Sequence, residues 1–217
     1  ILPNLEIEKM VNLQYVRMEG DNGDALMHPE LIRLLDSLKE APANPIIHIL
    51  TNGSIRNPAW WEELGRKYKG RLLVQFSIDG LEDTNPLYRV DVNHKRVLKN
   101  VKAFVKGGGE AVQRCLVFKH NEHQLSDIVK QARDIGMSSL MFLPGDRERF
   151  KEFEKWAVYD HNEHITHYIE NTSLTDFKDF NYLEHKIKIP AVHNDFIDDE
   201  ICGDWKKGIV LINVNGI

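Results

Sequence analysis

Short apolar runs alternate with stretches of helical periodicity along the first two thirds of the chain. Leu13-Gln14-Tyr15-Val16-Arg17-Met18 has the composition of a strand, and beyond a polar loop Leu31, Leu34, Leu35 and Leu38 recur at helical spacing. A second unit follows, with a strand over Ile46 to Leu50 and a helix from Pro58 to Tyr68, for which Asn57 is the natural cap and Pro58 suits the first turn. The third pairs a strand over Leu72 to Ile78 with a helix from His94 to Val105, ended by Gly107-Gly108-Gly109. The fourth runs from a strand over Ala111 to Phe118 into a helix over Gln124 to Ile135, and a fifth strand, Ser139 to Leu143, stops at Pro144-Gly145.

Five strands separated by helices predict a parallel α/β sheet, because crossovers of one hand are nearly obligatory. The Leu72 to Ile78 segment is apolar on both sides, as expected where helices cover one face and a barrel interior the other. The rhythm fails after about residue 147. Residues 148–200 are charged, aromatic and rich in histidine, with only weak helical patterns, and Ile209 to Asn213 is an apolar run before a hairpin signal at Asn215-Gly216. The expected organisation is a partial barrel over 1–147 and an irregular C-terminal extension over 148–217. The first residue is Ile1 and the last strand has no returning partner, so the expectation is a piece of a longer protein.

A net charge of -5 over 217 residues, without long blocks of like charge, argues against nucleic acid or an anionic membrane as partner. No segment has the length and apolarity of a membrane span and the start lacks a signal-peptide pattern, so the expected location is cytoplasmic. Cys115 and Cys202 are too few and too far apart for a disulfide framework.

Three polar signatures sit where a strand stops and a helix begins: Gly20-Asp21-Asn22-Gly23-Asp24, Thr51-Asn52-Gly53 and Ser77-Ile78-Asp79-Gly80. Ligands of parallel α/β folds gather at that end of the strands. Gly23 permits close approach of the backbone to a ligand, and Asp24 can face a cation or a hydroxyl; the alternative is an ordinary turn with Asp24 as a helix cap. Asn52 can donate and accept at once. Alternation puts Ser77 and Asp79 on one face of their strand, where two polar groups need a partner.

Taken with His28-Pro29, Tyr88-Arg89 and Val117-Phe118-Lys119-His120-Asn121, these signatures resemble the radical S-adenosylmethionine enzymes, in particular those with a SPASM or Twitch type of C-terminal extension. The resemblance covers residues 10–145 and a short part of the tail. It implies a partial (β/α) TIM-like barrel that binds S-adenosylmethionine, with Gly23 and Asp24 at its amino group, Asn52 nearby, Ser77 and Asp79 toward the ribose or substrate, Arg89 on the carboxylate and Phe118 against adenine. It further implies a 4Fe-4S cluster whose reduced form releases a 5'-deoxyadenosyl radical for hydrogen abstraction, a reductant protein as partner, and a peptide or protein as substrate.

Two departures stand at the first loop, where the family's glutamate is Asp24 and its proline is Ala25. The three-cysteine cluster loop is absent from this sequence, and its expected place is upstream of Ile1. Cys202, fourteen residues before Gly216, resembles the start of an auxiliary-cluster motif and would be a metal ligand there. Cys115 is expected in the core, and His161, His164 and His167 as a solvated face. Two other readings remain open at this level: a cluster-free relative that binds S-adenosylmethionine or a peptide, and a different barrel enzyme such as an aldolase using Lys119.

Overall fold

In a computed structural model, residues 7–9, 11–19, 23–145, 155–184 and 209–213 are described. The alternation of strands and helices appears as expected, with β1 (Tyr15–Glu19), α1 (Leu31–Glu40), β2 (Ile46–Thr51), α2 (Pro58–Lys67) and β3 (Leu72–Ser77). A short helix α3 (Asn85–Tyr88) precedes α4 (His94–Lys106), β4 (Glu110–Val117), α5 (Leu125–Asp134) and β5 (Ser139–Pro144). Two further strands, β6 (Lys155–Tyr159) and β7 (Ile165–Glu170), form a hairpin, and β8 (Tyr182–Leu183) and β9 (Ile209–Asn213) return to the main sheet.

That sheet runs β8-β5-β4-β3-β2-β1-β9. Six of its strands, β9 and β1 to β5, are parallel, forming a partial β/α barrel, and β8 closes the far edge antiparallel. Helix α1 buries Leu31, Leu34, Leu35 and Leu38, the stripe that its spacing predicts. Burying each leucine is worth about 1.5–3 kcal/mol. Asn57 caps α2 by accepting from the Trp60 N–H at 2.9 Å, with Pro58 in the first turn.

The helix-facing side of the sheet presents Val16, Met18, Ile47, Ile49, Val74, Phe76, Cys115 and Val117 to the main core. Trp61 sits between Phe76 and Phe104, with ring centroids 5.2 and 5.8 Å away, and its indole N–H donates to Ile55 O. Gly65 lets α2 lie directly on α4, since a Cβ there would stand 2.3 Å from Phe104 O. Positions of the opposite parity, Arg17, Glu19, His48, Gln75, Ser77 and Arg114, give the other face of the sheet a polar character that the helix-facing side lacks.

One expectation for the tail needs correction. Residues 155–170 form a β-hairpin where weak helical patterns were expected, because Val158, Tyr159, Ile165, Thr166, Tyr168 and Ile169 favour strands on either side of a tight turn. In that turn Asp160 Oδ1 accepts from the N–H groups of Asn162 and His164, and Glu163 adopts φ 64°. Ile209–Asn213, the expected apolar run, is a strand parallel to β1. Asn215-Gly216 and Cys202 lie outside the described residues.

The hairpin covers the end of β4. Val158 and Ile169 pack with Leu116 and Phe118, and Tyr88, Val90, Leu143 and Trp156 border them. Backbone bonds fix it there, with Lys119 N–H donating to Glu170 O at 3.0 Å and Phe118 bridging to Asn171.

Candidate functional site at the strand-end rim

The carboxyl ends of β1, β2 and β3 carry the three polar signatures side by side, as the register pairs Thr51 with Phe76 and Ser77 with Arg114. Of the first signature, Gly23 and Asp24 are described. Asp24 begins a 3-10 turn over Ala25–Met27 and caps it, Oδ1 accepting from Leu26 N–H at 3.0 Å. Its other oxygen reaches the next loop, where Oδ2 accepts the Thr51 hydroxyl at 2.6 Å and the Asn52 N–H at 3.1 Å. Asp24 is therefore both the helix cap of the ordinary-turn alternative and a bridge between two rim loops.

The second loop is folded on itself. Gly53 N–H donates to Thr51 Oγ1 at 2.9 Å, and Asn52 Oδ1 accepts from both the N–H and the hydroxyl of Ser54, at 2.8 and 2.6 Å. Gly53 sits at φ +72° with Phe76 Cδ1 only 2.8 Å from where a Cβ would be, so no other residue fits without displacement. Arg56 joins this loop to the first through an Nη2 bond to Leu26 O of 2.9 Å.

At the third strand Ser77 is half-buried, and Asp79 is wholly enclosed. Asp79 Oδ1 accepts from Leu116 N–H at 2.6 Å, while Oδ2 accepts from Arg89 Nε at 2.5 Å. Burial works against the Arg89 charge, but the Asp79 carboxylate outweighs it and holds the guanidinium more firmly protonated than usual. Asn121 completes the clasp, donating to Asp79 O and Leu116 O and accepting from Phe118 N–H. The carboxylate of Asp79 is thus committed to protein donors, and Arg89 keeps 26% of its side chain exposed.

The predicted residues accordingly meet as two bonded sets on neighbouring strand ends, Asp24 with Thr51 and Asn52, and Asp79 with Arg89. Phe118 is buried under the hairpin, its ring 4.7 Å from Tyr88 and stacked 5.5 Å from His120. Burial, with Asp79 adding to it, pushes the Cys115 thiol well up, which leaves it an inert core group. Lys119 Nζ is engaged with Glu122 at 2.5 Å and Ser173 at 3.1 Å on an exposed face. The histidines lie in the hairpin, where His167 Nε2 meets Leu87 O at 2.8 Å.

Sequence reading did not single out Arg56 or Asn100, and it quoted Asn121 without a role. Asn100 falls on the apolar stripe of Val97, Val101 and Phe104, a signal of a buried bonded amide that spacing alone does not connect to a partner. Among the described residues no group of three or more His, Cys, Asp and Glu side chains stands as a metal site, and no helix is long and apolar enough to cross a membrane.

No protein-family profile matches the chain, and no curated protein matches it. Solved structures do. Streptococcus suis SuiB bound to S-adenosylmethionine is similar with a TM-score of 0.50 and 17% identity over 59% of this chain and 29% of that one. SuiB bound to the precursor peptide SuiA is similar over 59% of this chain and 28% of its own, again at 17% identity and a TM-score of 0.50. Native anSMEcpe with bound AdoMet and Cp18Cys peptide is similar with a TM-score of 0.51 and 17% identity over 65% of this chain and 43% of that one. The chain spans less than half the length of these proteins, and at such identities the likeness establishes a shared fold.

Proposed function

We propose that this chain is the cofactor-binding half barrel of a radical S-adenosylmethionine enzyme whose substrate is a peptide or protein. The observation that carries the reading is the Asp24 carboxylate bridging the ends of β1 and β2, in a fold shared with proteins whose structures hold S-adenosylmethionine. The peptide half of the reading is supported by SuiA and Cp18Cys in those structures.

The rim chemistry suits the cofactor's aminoacyl end. Three protein donors fix the Asp24 carboxylate, and the half-buried side chain keeps a lone-pair direction for an ammonium. Gly23 keeps the approach open, Asn52 and Ser77 flank it with donor and acceptor groups, and the Arg89 guanidinium offers its outer nitrogens to a carboxylate. In this reading Phe118 backs the adenine from below, through the half-buried Tyr88 ring that packs on it. Bound S-adenosylmethionine would supply the carbon that takes hydrogen from the substrate.

The described residues do not fit a 4Fe-4S cluster, which needs several thiolate ligands, since the cysteine among them is the buried Cys115. In this reading Cys202, which lies outside the described residues, serves an auxiliary cluster, and a reductant protein is the electron-donating partner.

Anaerobic reconstitution with iron and sulfide, reduction, and assay for 5'-deoxyadenosine tests the enzymatic reading. Formation of that product, suppressed in Asp24→Ala, supports it. Uptake of S-adenosylmethionine without cleavage in the complete protein would instead favour a binding relative.

A further inference from the structure

The second rim loop hangs from helix α4. Asn100 is fully buried there, and its Nδ2 donates to Gly53 O at 2.9 Å and reaches Ile55 O at 3.5 Å. Among the described residues its Oδ1 meets no partner, a cost that an apolar residue would avoid. What the amide secures in return is the carbonyl side of Thr51 to Ile55. Gly53 N–H holds Thr51 Oγ1, and that same oxygen donates its proton to Asp24 Oδ2. Arg96 of α4 also donates to Arg56 O at 3.1 Å, and Arg56 donates to Leu26 O beside Asp24.

We infer that Asn100 is a positioning residue for the Asp24 carboxylate, acting from α4 through Gly53 and Thr51, so that it sets affinity for the ligand of the rim without touching it. The inference rests on the cofactor reading for the identity of that ligand, S-adenosylmethionine. The bonding path itself does not. Without the Asn100 donor, Gly53 O loses its partner while Ile55 O keeps the Trp61 indole N–H, the positive φ at Gly53 is held less firmly, and Thr51 no longer presents its hydroxyl at a fixed angle.

Asn100→Leu keeps the branched side-chain shape and removes the donor; Asn100→Ser retains one donor and serves if the bulkier leucine variant fails to fold. Two measurements on each decide the matter. Hydrogen exchange at the Asn52 and Gly53 amides is expected to accelerate roughly tenfold or more relative to β4 amides, and exchange rates unchanged relative to β4 overturn the path. Calorimetric titration with S-adenosylmethionine is expected to show roughly tenfold weaker binding, with little further loss when Asn100→Leu is placed on Asp24→Asn. Equal losses in both backgrounds would show that Asn100 acts independently of Asp24 and overturn the inference. A wild-type protein that takes up no S-adenosylmethionine overturns the cofactor reading instead, and the exchange rates still judge the path.

Discussion

Asp79 and Arg89 form a clasp across the end of β3, with Nε to Oδ2 at 2.5 Å and the carboxylate entirely out of solvent. Because Leu116 N–H occupies the second oxygen, the pair ties α3 and the chain after it to the end of β4. Arg89→Met leaves a fully buried carboxylate without its cation, and the expected loss is about 3–5 kcal/mol in chemical denaturation. Asp79→Asn leaves a partly exposed guanidinium and should cost less. An Arg89→Met variant as stable as the parent would show that the clasp holds nothing.

Gly65 is the contact point of α2 on α4. With Phe104 O 2.3 Å from the site of a Cβ, Gly65→Ala must push the helices apart, and a loss of about 1–3 kcal/mol is expected from overpacking. Thermal unfolding of the variant checks this. An increase in stability, the usual result of Gly→Ala in an open helix, would contradict the close packing.

Glu122 anchors the segment that follows the hairpin. Burial raises its pKa, but the Lys119 ammonium, the Thr172 hydroxyl and the Ser173 N–H and hydroxyl outweigh that and bring it from 4.5 to about 2. A carboxylate held below its unfolded value stabilises fully above that value and loses its contribution as pH falls toward the folded one. The anchor is therefore expected to loosen between pH 4.5 and about 2. Amide exchange at Ser173 and Leu174 follows it; Glu122→Gln should remove the pH dependence in that window and cost about 1–2 kcal/mol at neutral pH.

The local parts of this fold could be read from sequence and the long-range ones could not. Asn57 and Pro58 mark the start of α2 because a cap and its recipient are three residues apart. The leucine stripe of α1 and the strand-end positions of Asn52 and Ser77 followed from periodicity in the same way. The partner of Asp79 did not. Alternation along β3 places an inward carboxylate, but only the short helix Asn85–Tyr88, with no apolar periodicity to announce it, returns Arg89 to meet it. The surroundings of Phe118 did not follow either: a hairpin more than thirty residues on covers it, and the histidines of that hairpin obscured its strand pattern.

The pairing of Asp24 with Thr51 and Asn52 carries the functional account, and a calorimetric titration with S-adenosylmethionine tests it most directly. The native protein is expected to bind, and Asp24→Asn, which keeps the shape but removes the charge and turns one acceptor oxygen into a donor, is expected to bind at least roughly tenfold more weakly. Equal affinity in the two proteins, or no binding by the native one, would contradict the assignment of this rim to the cofactor.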